Sequence, residues 1–191
     1  MVFFDEFWFA DRPTIFYGWA RVNTRCRVPS YEKNRTIRYG LLAVDAHDGT
    51  EHIDFAKKLN SENVADYFHH LAIDTKQAGY TCLTVIIDNN SMHKDKMRYE
   101  LWLRMHEQHN LDGFRVRFID TPRYSPELNL AEYSIHQLRL RLFHHLPSRP
   151  KIDELCQNIR NSLKREQLQT KEQIRATINH ILKLARVDCV A

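Results

Sequence analysis

Three carboxylates stand where a folded chain needs a reason to keep them. Asp5 interrupts the apolar run Val2-Phe3-Phe4-Asp5-Glu6-Phe7-Trp8-Phe9, and Asp88 follows directly on Leu83-Thr84-Val85-Ile86-Ile87. Glu132 falls one turn into a helix that leaves the two-proline loop Thr121-Pro122-Arg123-Tyr124-Ser125-Pro126. A part-buried carboxylate is costly unless paired, and converging carboxylates repel unless a cation neutralises them. Mg2+ is suited to that task because it takes oxygen ligands and keeps positions open for water and phosphate. Two such ions held ~3.5–4 Å apart serve in-line phosphodiester chemistry. Each acid also has a plainer use: Asp5 reaching solvent from a strand end, Asp88 capping a turn, Glu132 closing a capping box begun by Asn129. Spacing along the chain leaves both readings open.

The elements that must position these residues follow from periodicity. The first run is apolar on both alternating faces apart from Asp5 and Glu6, which predicts a central strand covered on both sides. Short β-branched or aromatic segments around Ile15–Val22, Thr36–Val44 and Glu51–Phe55, the last two joined by Asp48-Gly49, predict an antiparallel meander. Val64, Tyr67, Phe68, Leu71 and Ala72 then recur at helical spacing from Ser61 until Gly79. From there the pattern alternates. A buried strand ends at Asp88, a helix runs from about Lys94 to His109, a short strand covers Phe114–Ile119, and a helix covers Leu130–His145. Two amphipathic helices close the chain at about Ile152–Leu168 and Thr170–Arg186, the second capped by Thr170. The α/β order places Asp88 at the carboxyl end of a strand, where open sheets bind ligands. The division expected is a catalytic unit over residues 1–146 and a helical extension over 147–191 packed on or beside it.

A length of 191 residues fits one medium domain with a real core, and 43% hydrophobic with 27% charged residues excludes disordered and collagenous classes. No apolar run approaches the ~20 residues of a membrane helix and no signal-like start is seen, so a cytoplasmic protein is expected. Cys26, Cys82, Cys156 and Cys189 stand far apart, which argues against a zinc knuckle and a disulfide scaffold alike. The net charge of +4 is unevenly placed. Acidic residues slightly outnumber basic ones as far as Glu132, beyond which basic residues exceed acidic by more than two to one. Arg21, Arg25, Arg27, Lys33, Arg35 and Arg38 form a second local excess, suited to a phosphate-binding surface.

Longer motifs give these residues a family. Val85-Ile86-Ile87-Asp88-Asn89-Asn90-Ser91-Met92-His93-Lys94 resembles the second-Asp motif of mariner-superfamily DDE transposases in their bacterial insertion-sequence branch. Pro122-Arg123-Tyr124-Ser125-Pro126-Glu127-Leu128-Asn129-Leu130-Ala131-Glu132-Tyr133 resembles that family's long glutamate signature, with Leu130 where the family has a second proline. Phe3-Phe4-Asp5-Glu6 and Gly18-Trp19-Ala20 resemble its first strand and the turn beyond. The resemblance, over roughly Val2 to Leu146, implies an α/β, ribonuclease H-like fold: a mixed five-stranded sheet, an antiparallel meander plus parallel strands, flanked by helices. It implies that Asp5, Asp88 and Glu132 are the catalytic, metal-binding triad, holding two Mg2+ ions with Mn2+ as the alternative. The activity implied is transposition: hydrolysis at transposon ends, then strand transfer into target DNA. Asp88 and Glu132 are further apart along the chain than the family leads one to expect, which predicts a longer helix or loop between Lys94 and Phe114. The partners implied are DNA, a second copy of the chain, and a helix-turn-helix region supplied separately or by frameshift fusion, since none is visible in the sequence. A truncated remnant that only binds DNA and a ribonuclease H-like nuclease are the alternatives.

The candidate DNA contacts are Arg21, Arg25, Arg27, Arg35, Arg38, His93, Arg123, Tyr124 and Arg139. Arg139 and Arg141 share the helix of Glu132 and are expected to line its groove, and the basic residues Arg160, Lys164, Arg165, Lys171 and Arg175 either add affinity or cover the sheet. Trp19 is expected to pack. The adjacent pairs His69-His70 and His144-His145 are expected at the surface, and His136 to pack or meet solvent.

Overall fold

The doubly apolar first segment becomes the central strand of a five-stranded sheet. The structure, a computed structural model, describes residues 1–11, 19–24, 36–107, 111–142 and 151–187, without the side chains of 186 and 187. In chain order the elements are β1 (Val2–Ala10), β2 (Ile37–Asp45), β3 (Glu51–Ala56), α1 (Ser61–Gln77), β4 (Cys82–Ile87), α2 (Asp95–Glu107), β5 (Arg115–Asp120), α3 (Leu130–Leu142), α4 (Ile152–Arg165) and α5 (Lys171–Val187). Strand order is β3-β2-β1-β4-β5. β1 runs antiparallel to β2, and β2 to β3, whereas β1, β4 and β5 are parallel. This mixed sheet flanked by helices is the ribonuclease H-like arrangement.

Alternation along β1 explains the two-sided core. Phe3, Phe7 and Phe9 enter a cluster with Leu130, Ile135 and Leu138 of α3 and with Ile159 and Ile174 of the last two helices. Val2 and Phe4 face the other way, against Val64, Phe68 and Leu71 of α1 and Met97 and Leu101 of α2. The faces of β1 therefore commit its two acids to opposite layers: Asp5 with the α3 side, Glu6 with the α1–α2 side.

Of the three segments expected to form the meander, the one around Ile15–Val22 lies mostly outside the described residues. β1 pairs directly with β2 along its whole length, from Val2 opposite Asp45 to Ala10 opposite Ile37, so no strand fits between them. Residues 12–18 lie outside the described residues, and the stretch 19–24 makes a turn at Val22–Asn23 with Trp19 and Val22 facing outward. Trp19 is 103% exposed, against the expectation that it packs. α4 also stops at Arg165, because Glu166 is extended and Leu168 and Gln169 are buried between the last two helices. There the Leu168 N–H donates to Glu51 Oε1 at 2.7 Å.

Caps and turns follow their residues. Asn60 caps α1 by accepting from the Asn63 N–H, and Thr170 with Gln173 forms a reciprocal box at the start of α5. The β2–β3 turn needs Gly49 twice: its φ is +79°, and an added Cβ would lie 2.8 Å from Ile174 Cγ1 of α5. The helices beyond residue 150 thus close one face of the sheet. Arg38 of β2 pairs with Asp153 at 2.9 Å, and Arg160 pairs with Asp54 and lies over the Phe55 ring. No helix among the described residues is long and apolar enough to cross a membrane.

Candidate active site

Asp5, Asp88 and Glu132 line one cleft of about 410 Å³, closed on one side by the loop from Thr121 to Pro126. Each arrives there for a local reason. β1 delivers Asp5 on its α3-facing side, in mid-strand, and Asp88 is the residue after β4 ends. Glu132 sits in the first turn of α3, where the buried Asn129 starts the helix: its Oδ1 accepts from the Ala131 N–H at 3.1 Å. The same side chain's Nδ2 donates to the Phe4 carbonyl at 2.9 Å, tying the helix start to the strand beside Asp5. A capping-box role for Glu132 is not used, since the Asn129 N–H already donates to the Pro126 carbonyl. Glu132 meets Asp5 instead, within hydrogen-bonding reach.

That contact controls the electrostatics. Burial, then the charges of Glu132 and Glu6, push Asp5 up to about 8, against the Glu6 N–H that donates to its Oδ1 at 2.8 Å. At neutral pH Asp5 therefore favours its protonated form beside Glu132. The donor set, oxygen only and acidic, suits a hard ion. Among the described residues no three His, Cys, Asp or Glu side chains are gathered tightly enough to enclose an ion as they stand. The acids form a pair plus one: Asp88 lines the same cleft with its Oδ1 engaged by His93 Nδ1 at 2.6 Å.

His93 is the clearest departure from the sequence reading. Expected as a DNA contact, it is buried, with Nε2 at 2.5 Å from Glu6 Oε1 and Nδ1 on Asp88. Burial opposes its charged form, but the hydrogen bonds and charges of Asp88 and Glu6 outweigh that and push it up to about 10. For Asp88, burial raises the pKa, yet the hydrogen bond and charge of His93 and the Asn90 N–H leave it below the usual carboxylate range. Glu6 is the participant that sequence reasoning missed, while Asn129, read there as a helix cap, also ties α3 to β1. For Glu6 a signal existed: an acid on the otherwise apolar stripe Val2, Phe4, Glu6 needs a buried partner.

The candidate DNA contacts scatter. Arg123 and Tyr124 are exposed and line the cleft. Tyr124 is 98% exposed at φ +60°, an uncommon backbone state for a bulky residue. Arg21 is exposed in its turn, while Arg25, Arg27 and Arg35 lie outside the described residues. Arg38 is taken up by Asp153, and Arg139, on Glu132's face of α3 but two turns further along it, does not line the cleft. Arg141 instead donates to the Gln167 and Leu168 carbonyls, bracing the α4–α5 connection. His136 is exposed, and His144-His145 lie outside the described residues. His69, expected at the surface, is buried on α1 near Asp66 and Arg104, and its Nε2 has no hydrogen-bond partner among the described residues.

Comparison with known proteins gives this geometry a context. A model of the DDE superfamily endonuclease family matches residues 1–156. Among solved structures, the Mos1 transposase paired-end complex with left transposon end is similar with a TM-score of 0.67 and 12% identity, over 98% of this chain and 55% of that one. The mariner Mos1 paired end complex with Mg gives 0.66 and 13%, over 98% and 55%. The Mos1 strand transfer complex gives 0.64 and 12%, over 94% and 50%. The chain thus spans about half the length of these matched chains, and at such identity the likeness is one of fold. No curated protein matches the chain.

Proposed function

The chain belongs to the DDE superfamily endonuclease family, and on that premise we propose that it is a metal-dependent transposase catalytic domain that cuts and joins DNA. The observation that carries this reading is the shared cleft of Asp5, Asp88 and Glu132, with Glu132 close enough to Asp5 to raise its pKa. We assign the three as catalytic metal-binding residues, for two Mg2+ ions with Mn2+ as the alternative. Bound Mg2+ supplies Lewis-acid stabilisation of the scissile phosphate and lowers the pKa of an attacking water. The naming of Mg in one Mos1 paired end complex and Mn in another supports that choice.

The chain's own residues do the rest. Asp5 would give up its proton when the site is loaded, so loading is favoured by rising pH. Asn129 keeps α3 fixed to β1, so the pair does not drift apart. Arg123 on the rim offers a cation to the DNA backbone, and Tyr124, held outward, offers a flat ring to a base or sugar beside the cut. Recognition of element ends is a task we assign to a helix-turn-helix region, fused by frameshift or supplied separately, working with a second copy of the chain beside the chromosome in the bacterial cytosol. The paired-end and strand-transfer complexes of Mos1 support joining as well as cutting.

The test is nicking of supercoiled plasmid DNA in Mg2+ or Mn2+, with a 3′-hydroxyl oligonucleotide present to report joining. Asp88→Ala and Glu132→Gln should abolish nicking while the fold persists by circular dichroism. Wild-type rates in either variant would overturn the assignment. Nicking without any joined product would favour a nuclease of the same fold.

A further inference from the structure

β1 and β4 part company just before their acids. Their parallel pairing covers only Val2 opposite Val85 and Phe3 opposite Ile86. Continued for two more residues, that register would set Asp5 opposite Asp88, but no backbone pairing remains there to hold the two strands at a fixed separation. Asn129 occupies one freed group, the Phe4 carbonyl. On the other face of β1 the gap is spanned by a side chain. His93, in the 3-10 turn Ser91–His93 after β4, reaches Glu6 on β1 with Nε2 at 2.5 Å and Asp88 with Nδ1 at 2.6 Å.

We propose that His93 and Glu6 form a strut that positions Asp88 for its metal ion, a role that rests on the function proposed above. Asp88 Oδ1 lies 2.6 Å from His93 Nδ1 and accepts from the Asn90 N–H at 3.2 Å, and Nδ1 also reaches the Asp88 carbonyl at 3.3 Å, so main chain and side chain of Asp88 are held together. Asp88 is 45% exposed, whereas the His93 and Glu6 side chains are 1% and 7% exposed. A buried charged pair is a poor device for stability, because apolar residues of similar volume commonly do as well or better. It is a good device for direction: hydrogen bonds from behind a ligand set its orientation, and their loss weakens metal affinity by roughly 10–100-fold. Glu6 anchors the strut to the same strand that carries Asp5, so the two Asp carboxylates are indexed to each other through one imidazole. His93 and Glu6 touch neither metal nor substrate.

The experiment measures Mn2+ uptake by the full chain, from the electron paramagnetic resonance of free Mn2+, alongside thermal melts. Asp88→Asn serves as the loss-of-ligand control. Glu6→Gln, which keeps the volume, is expected to weaken Mn2+ binding roughly tenfold. The double variant Glu6→Leu/His93→Phe, which replaces the pair by an apolar contact, is expected to melt near or above wild type and yet lose at least as much affinity. Equal Mn2+ affinity in wild type, Glu6→Gln and the double variant overturns the strut alone. A wild-type chain that takes up no Mn2+ overturns the metal reading and the strut together. A purely structural pair would show the reverse split, with lowered melting and unchanged affinity.

Discussion

Asp5 carries the strongest consequence for a single residue, because a raised carboxylate pKa is also a statement about stability. Its folded value of about 8 lies above its ordinary one, so its contribution is complete at acid pH and is lost as pH rises through about 8. Glu51, raised to about 7 chiefly by burial, acts in the same direction over a lower range. His93, raised from 6.5 to about 10, loses its contribution progressively between those two values. The ion-free chain should therefore melt lower at about pH 8.5 than at about pH 6. Asp5→Asn should remove a part of that difference, as thermal melts across pH would show; an undiminished difference in the variant would sink the assignment to Asp5. Mn2+ should stabilise the wild type more at the higher pH, where proton and ion no longer compete. At Tyr124 the backbone state, not the ring, bears on stability. Tyr124→Gly removes a left-handed tyrosine and is expected to melt no lower than wild type, gaining at most about 1 kcal/mol. The same variant should bind DNA more weakly in a filter or anisotropy assay. An unchanged DNA affinity would remove Tyr124 from the interface.

Between elements, glycine separates two costs that a sequence cannot distinguish. Gly49 and Gly79 both have positive φ, +79° and +90°, and both follow helix- or turn-ending signals. An added Cβ at Gly79 meets nothing within 4 Å, so Gly79→Ala should cost only backbone strain, about 1–2 kcal/mol. Gly49→Ala adds the 2.8 Å collision with Ile174 and should cost about 1–3 kcal/mol more, measured by urea denaturation. Equal costs would mean that α5 is not seated on the β2–β3 turn. The extent of most elements is legible in the sequence: β2, β3, α1, β4, α2, β5 and α3 fall where periodicity, caps and prolines put them. The segment around Ile15–Val22 lies mostly outside the described residues, and β1 pairs directly with β2.

Across the whole molecule, the last two helices are part of the core. Ile159 and Ile174 are fully buried in the cluster that also holds Phe3, Phe7 and Leu130. Ile159→Ala should cost about 2–5 kcal/mol by denaturant melts, and a chain ending at residue 151 should expose that cluster and aggregate. A truncated chain that melts cooperatively would show the sheet's α3 face to be self-sufficient. Charge at this scale is quieter than the sequence suggested. Arg38, Arg98, Arg104, Arg141 and Arg160 are engaged with Asp153, Asp120, Asp66 and Glu100, Glu166, and Asp54. Of the basic cluster read as a phosphate surface, Arg38 is an internal pairing and Arg21 is exposed, while Arg25, Arg27, Lys33 and Arg35 lie outside the described residues.

The sequence alone determined the order of elements and the three acids, because hydrophobic alternation, proline punctuation and a carboxylate in an apolar context are local signals. It also placed Asp88 and Glu132 beside the turns that present them. Only the tertiary structure decided which acids touch. Asp5 meets Glu132 because α3 packs on one face of β1, while Glu6 meets His93 because the next residue of a strand points to the other face. Those pairings depend on layers assembled from residues more than eighty positions apart, and no spacing along the chain encodes them.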